Sequence, residues 1–70
     1  MTDTKLLDEW IERSGKKKKY LAKKVGLSNA GFRNCCTNKA EFTTGQVGIL
    51  CEELSIRRLT DKEAVFYARK

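Results

Sequence analysis

Apolar side chains recur along the chain at the spacing of an α-helix, and no stretch alternates apolar and polar residues in the manner of a strand. The first repeat predicts a helix from about Asp3 to Ser14. Gly15 follows it and is suited to end the helix, because glycine adopts left-handed backbone angles at little steric cost. The stripe of this helix that faces the core consists of Leu6, Leu7, Trp10 and Ile11.

A second predicted helix, over residues 17–25, is followed by a very short turn. Gly26 ends the helix and lets the backbone turn sharply, and Leu27 can hold the turn against the core. Lysines occupy the other faces of the helix. Its inward positions are Leu21, Ala22 and Val25.

A third predicted helix begins directly after the turn, with Ser28 as its N-cap, and ends at about residue 36 or 37. Gly31 lies inside this helix, where glycine costs about 1 kcal/mol relative to alanine. We therefore expect the third helix to be intrinsically weak. Its inward positions are Phe32 and either Cys35 or Cys36.

A fourth helix is predicted after a loop at residues 38–42, with Thr43 or Thr44 as its N-cap. Its apolar residues recur at i, i+3, i+4 and i+7, which again indicates one buried stripe. These inward positions are Val47, Leu50, Cys51 and Leu54.

The last predicted helix is short and comprises AVFYARK at the C-terminus. Thr60 and Glu63 just before it have the spacing of a capping box, which predicts the start of the helix there. No linker, internal repeat or low-complexity tract other than the lysine run interrupts the chain. The whole sequence therefore predicts one all-α domain of five helices.

Positive charge is concentrated in one part of the chain. The net charge is +6, and residues 15–40 carry eight basic side chains and no acidic one. At 70 residues the domain is small, which favours a compact binding module over an elaborate active site. We expect a polyanion or an acidic protein as the partner, although a run of lysines is commonly just a solvated face.

Several other classes of protein are not expected. Glu52 and Glu53 are neighbours on a helix and diverge, and no glycine loop could hold a phosphate, so we do not expect an enzyme. Histidine is absent and the three cysteines lack CxxC spacing, so neither a metal site nor a cofactor is predicted. The cysteines are expected to be reduced, in a cytosolic protein without a signal sequence or a membrane span.

The stretch LAKKVGLSNAGFRNC combines a small residue, a turn glycine and two large apolar residues at fixed spacing: Ala22, Gly26, Leu27 and Phe32. This pattern resembles the helix-turn-helix of the Cro and phage-repressor (XRE-like) family. The flanking segments, including NKAEFTTGQVGILCEELSI, match that family in order and length. The resemblance implies a five-helix domain in which residues 17–37 form the motif and residues 28–37 the helix that reads DNA.

In this family the third helix enters the major groove of a double-stranded operator. An asparagine amide can pair with adenine, an arginine guanidinium with guanine, and an alanine methyl group with the thymine methyl group. The residues implied to read bases are Ser28, Asn29, Ala30, Arg33, Asn34 and Thr37. The residues implied to contact phosphates are Lys16, Lys17, Lys18, Lys19, Lys23, Lys24 and Lys39.

A less specific interpretation exists for several of these residues. The asparagines Asn29 and Asn34 could be plain polar surface. Trp10, Cys35 and Cys51 are expected in the core, whereas the adjacent Cys36 is expected to be partly exposed.

Two functions follow from the resemblance. The first is a Cro-like transcriptional regulator of a phage lysogeny switch, acting in the bacterial cytoplasm as a homodimer. Val65, Phe66 and Tyr67 could supply the self-contact or could instead pack on the first helix. The operator, and whether transcription rises or falls, are not encoded in any recognisable pattern.

The second function is that of an antirepressor, which would bind the DNA-binding domain of a partner repressor through the same surface. Its interface anchors would be Arg33 with Phe32 or Tyr20, and its basic stretch would meet acidic side chains.

Overall fold

Five α-helices form the regular structure of residues 1–68, the part of the chain that the computed structural model describes. They are α1 (Thr4–Ser14), α2 (Lys18–Lys24), α3 (Asn29–Cys36), α4 (Thr44–Leu54) and α5 (Leu59–Phe66). Residues 1–68 contain no strand, so the predicted compact all-α domain of five helices is confirmed. The end of the predicted fifth helix, residues 69 and 70, lies outside the described residues.

All five helices contribute to one hydrophobic core. The inward positions predicted for the first four helices are buried, except that Leu6 and Trp10 are half-buried and pack against its edge. Trp10 is additionally covered by the Arg13 guanidinium, 5.0 Å from the ring centroid. The core residues are Leu7, Ile11, Leu21, Ala22, Val25, Phe32, Cys36, Val47, Leu50, Cys51, Leu54, Ile56, Val65 and Phe66.

Phe42, which precedes α4, joins the aromatic part of the core. Its ring meets the rings of Phe32 and Phe66 edge to face, with centroids 5.7 and 5.9 Å apart. Such pairs add to the stabilisation from burial alone. The loop between α3 and α4 is therefore held to both α3 and α5 through one side chain.

The turn between α2 and α3 has the predicted chemistry. Gly26 adopts a φ of 75°, in the left-handed region, and the Leu27 N–H donates to the Ala22 carbonyl at 2.9 Å. The Ser28 hydroxyl accepts from the Gly31 N–H at 3.0 Å and so caps α3, as predicted. These contacts hold α3 directly beside α2.

Replacing Gly26 with alanine is expected to destabilise the domain by about 1–2 kcal/mol, the cost of a left-handed backbone for an L-residue. A Cβ at this position meets no atom within 4 Å, so the loss reports backbone conformation alone. Gly48→Ala is the matched control, because Gly48 lies exposed inside α4 with equally open space. It should stabilise by about 1 kcal/mol. Urea unfolding distinguishes the two, and the same sign for both variants would contradict the assignment of the turn.

The predicted start of the fifth helix is wrong. α5 begins at Leu59 with Arg58 as its N-cap and without a side-chain hydrogen bond, so Thr60 lies in its first turn and caps nothing. The connection that leads into it is fixed earlier, where Ser55 adopts a φ of 60° and Ile56 is buried. The connection is therefore anchored in the core by Ile56, which precedes Thr60 by four residues.

One prediction about exposure is corrected, and one alternative that the sequence left open is decided. Cys36 is buried rather than partly exposed, because the inward face of α3 includes both Cys35 and Cys36. Val65 and Phe66 pack in the core, so of the three candidates for a self-contact only Tyr67 remains exposed.

Candidate nucleic-acid interface

α3 presents a continuous polar face to solvent. All six side chains predicted to read bases are exposed, while Phe32, Cys35 and Cys36 on the opposite face are buried. Asn29 and Arg33 are four residues apart and share one stripe of the helix, and Ala30 and Asn34 share the next stripe. The buried residues therefore fix which side of α3 can meet a partner.

The six residues differ in what their polar atoms already do. The Ser28 hydroxyl caps the helix, and the Thr37 hydroxyl donates to the Arg33 carbonyl at 2.9 Å. By contrast, the side chains of Asn29, Arg33 and Asn34 make no hydrogen bond or ion pair within residues 1–68. These three side chains keep their full hydrogen-bonding capacity for a partner.

Gly31 is explained by the cap. A Cβ on Gly31 would lie 3.2 Å from the Ser28 Oγ, which accepts the Gly31 N–H. The glycine that weakens α3 by propensity thus leaves room for the hydroxyl that caps it. The sequence pattern alone showed the cost and not the reason for it.

The seven lysines predicted to contact phosphates fall into two groups. Lys16 and Lys18 form ion pairs, with Glu53 at 3.0 Å and with Asp8 at 3.1 Å respectively. The other five have no carboxylate within 4.0 Å among the described residues, and all five are exposed. They are Lys17, Lys19, Lys23, Lys24 and Lys39.

Lys16 is the most enclosed of the seven. Its ammonium donates to both the Glu53 carboxylate and the Glu53 carbonyl, at 3.0 and 2.7 Å, and the Tyr20 hydroxyl donates to the same carboxylate at 3.0 Å. Hydrogen bonds from Lys16 and then Tyr20 lower the pKa of Glu53 below its ordinary value. This cluster links the residues before and within the start of α2 to α4 and leaves the Lys16 ammonium engaged inside the protein.

Glu53→Gln is expected to lower the melting temperature, and the loss should depend on pH. Because the pKa of Glu53 is lower in the folded chain than in the unfolded chain, its stabilisation is present above the unfolded pKa and disappears as the pH falls through the folded pKa. The difference from wild type should therefore be largest at neutral pH and shrink below about pH 4. Glu52→Gln, one residue away and exposed, is the control. Equal losses for both variants, or a loss independent of pH, would contradict the cluster.

A cleft of about 510 Å³ brings the two predicted sets of residues together. Lys18 and Lys19 of α2 line it beside Asn29, Arg33 and Thr37 of α3. The buried Phe32 and Cys36 also border the cleft, and burial raises the pKa of the Cys36 thiol to about 11, so the thiol is neutral at physiological pH. The positive charges of Lys18, Lys19 and Arg33 and the hydrogen-bonding capacity of Asn29 thus suit an anionic group with polar groups beside it.

The cleft also contains a residue that sequence reasoning missed. Asp8 of α1 lines it together with Thr4, one helical turn before. No local pattern marks Asp8, because its position beside α2 depends on how α1 packs.

Comparison with protein-family models, with curated proteins and with solved structures finds no match to this chain. None of the helices within residues 1–68 has both the length and the apolar character needed to span a bilayer. The same residues contain no group of three or more His, Cys, Asp or Glu side chains placed to hold a metal ion.

Proposed function

We propose that this chain is a Cro-like transcriptional regulator that binds a specific site in double-stranded DNA through α3. The observation that carries the proposal is the outward face of α3, where Asn29, Arg33 and Asn34 have no partner within the described residues. Asn29 and Arg33 line one cleft with the exposed Lys18 and Lys19 of α2. Such a face combines side chains that distinguish bases with charges that bind the backbone.

The dimensions of α3 support insertion into the major groove. The helix has eight residues and is therefore about 12 Å long, and the groove admits an α-helix. Apart from Arg33, its outward residues have short side chains, so the helix can approach base edges closely. Arg33 is proposed to bind guanine, Asn29 or Asn34 adenine, and Ala30 a thymine methyl group.

The lysines are proposed to supply affinity without sequence information. Lysines lie at both ends of α2, and Lys39 follows α3; of these, Lys18 and Lys19 line one cleft with Asn29 and Arg33. Each phosphate that is neutralised releases counterions, so this contribution falls as salt rises.

A single copy of so small a module contacts few base pairs, so we propose that it acts as a homodimer on two half-sites about one helical turn apart. The regulator would act by occupying DNA that a polymerase or a competing repressor needs. A role in a phage lysogeny switch, in the cytoplasm of a bacterial host, rests on the family resemblance.

The antirepressor hypothesis loses one of its expected anchors. Phe32 is 2% exposed and is part of the core, so it is not available to a partner protein. Arg33 and the exposed Tyr20 remain, although the Tyr20 hydroxyl already donates to Glu53. DNA is therefore the partner that the geometry favours.

Fluorescence anisotropy with a labelled duplex of mixed sequence tests the proposal directly. Binding should be detectable at low salt, and the logarithm of the association constant should fall linearly with the logarithm of salt concentration. Absence of binding at low salt would refute DNA as the partner. Capture of a repressor domain by a chain that does not bind DNA would instead support the antirepressor.

A further inference from the structure

Asp8 brings a negative charge into the otherwise basic cleft. Its carboxylate pairs with the Lys18 ammonium at 3.1 Å, and both side chains are more than half exposed, at 56% and 57%. The other charged residues that line the cleft, among those described, are the cations Lys18, Lys19 and Arg33. Asp8 is thus a lone anion at the edge of the proposed DNA-binding face.

This ion pair is built to separate easily. Neither partner makes a further hydrogen bond within residues 1–68, and solvent reaches both side chains. Exposed pairs of this kind contribute little to stability, because water screens them and two mobile side chains must be ordered. Lys18 can therefore leave Asp8 at little cost to the fold.

The pair between Lys16 and Glu53 is the opposite case. There the carboxylate is only 21% exposed, the lysine also donates to a backbone carbonyl, and Tyr20 adds a third hydrogen bond. Separation of that pair would leave several donors and acceptors without partners. Of the two carboxylate-bound lysines, Lys18 is the one that can exchange its partner.

We propose that Asp8 competes with a DNA phosphate for Lys18. In the unbound chain the carboxylate occupies the ammonium, and on binding Lys18 moves to a phosphodiester group that enters the cleft beside Lys19 and Arg33. The inference rests on the proposed function. Carboxylate and phosphate oxygens accept from an ammonium at similar distances, so one can replace the other.

Asp8 then weakens binding to every DNA sequence. A phosphate in the cleft lies close to the displaced carboxylate, and two like charges at short range repel. Once Lys18 has left it, the Asp8 carboxylate attracts a cation from solution, which offsets part of the counterion release that Lys18 causes at the phosphate. Asp8 acts on the electrostatic contribution to affinity and does not read bases.

Asp8→Asn tests the inference, with Glu9→Gln as the matched control. Both substitutions remove one negative charge from neighbouring exposed positions of α1, but Glu9 borders a different surface with Glu12 and Arg13. Asp8→Asn should tighten duplex binding roughly tenfold at 0.1 M salt and steepen the salt dependence by about one counterion. Glu9→Gln should change affinity less than about twofold, because screening weakens distant charges.

A double-mutant cycle locates the effect at Lys18. In a Lys18→Gln background the gain from Asp8→Asn should be clearly smaller, since no ammonium remains to be released and only the direct repulsion between Asp8 and the phosphate is removed. Circular dichroism and thermal unfolding of each variant confirm that the comparison concerns folded proteins. The gain should be the same for a selected site and for a random duplex.

The possible outcomes separate the inference from the proposed function. If wild type binds duplex DNA and Asp8→Asn binds no better than Glu9→Gln, competition by Asp8 is refuted and DNA binding stands. Weaker binding by Asp8→Asn would also refute it and would make Asp8 a residue that positions Lys18. If neither wild type nor any variant binds duplex DNA, both are refuted.

Discussion

Arg33→Ala should weaken binding to the operator, defined as the site that the protein selects from a random duplex library, roughly 10- to 100-fold. It should also relax the base preference at one position of each half-site. Arg33 is exposed on the outward face of α3 and makes no ion pair within the described part of the chain. Its guanidinium can therefore make two hydrogen bonds to one guanine, a contact that discriminates among all four base pairs.

The loss of one positive charge must be separated from the loss of base reading. Arg57→Ala removes the same charge in the connection between α4 and α5, where Arg57 borders a different cavity with Cys51 and Ile56. That variant should retain the operator preference and lose only a little affinity. Binding curves on the operator and on single-base variants provide the comparison. If Arg33→Ala weakens all sequences equally, Arg33 contacts phosphate and not a base.

Phe32→Ala should cost about 3–5 kcal/mol of folding free energy. A domain of 70 residues has a total stability of about 3.5–10 kcal/mol, so the substitution should remove between about a third and all of it. Phe32 is one of the largest fully buried side chains and contacts the Phe42 ring edge to face. Its loss would detach the inward face of α3 from the core.

Urea unfolding followed by circular dichroism measures this effect. Phe32→Leu should cost much less, because it retains most of the apolar volume. Tyr67→Ala is an exposed aromatic control and should change stability by no more than about 0.5 kcal/mol. A Phe32→Ala variant as stable as wild type would mean that α3 does not pack through this face. The exposed positions assigned to DNA reading would then lose their basis.

Features that depend on neighbours in sequence were predictable. The spacing of apolar residues predicted the first four helices, and Gly26 with Ser28 located the turn and the cap of α3 to the residue. Thr43 and Gln46 form a capping box at the start of α4, where a threonine cap was expected. In each case the signal lies within about four residues, the range over which a backbone group meets its local partner.

Features that depend on how the helices pack were not predictable. Asn38 adopts a φ of 64° and makes two hydrogen bonds to the Thr2 backbone, which joins positions 36 residues apart. A separation of 37 residues likewise made the pairing of Lys16 with Glu53 unpredictable from the sequence. A capping-box spacing at Thr60 was present but unused: α5 begins at Leu59, after the connection in which Ile56 is buried in the core.

The candidate site likewise has features that the sequence predicted and features that depend on how the helices pack. The residues that the family resemblance implied to read bases all lie on the exposed side of α3, opposite the inward position of Phe32 that the helical spacing predicted. Two features of the site depend on the packing of α1 and α4 on α2 and could not be predicted from the sequence. They are the pairing of Lys16 and Lys18 with carboxylates and the position of Asp8 in the cleft.

Selection from a random duplex library at near-physiological salt, followed by sequencing of the retained DNA, is the decisive measurement. If α3 reads bases, a short and pseudopalindromic site should be enriched, with a guanine in each half-site whose preference is lost in Arg33→Ala. Recovery of no motif, together with binding that vanishes as salt rises, would show that the basic surface binds polyanions without reading them and would contradict a sequence-specific regulator.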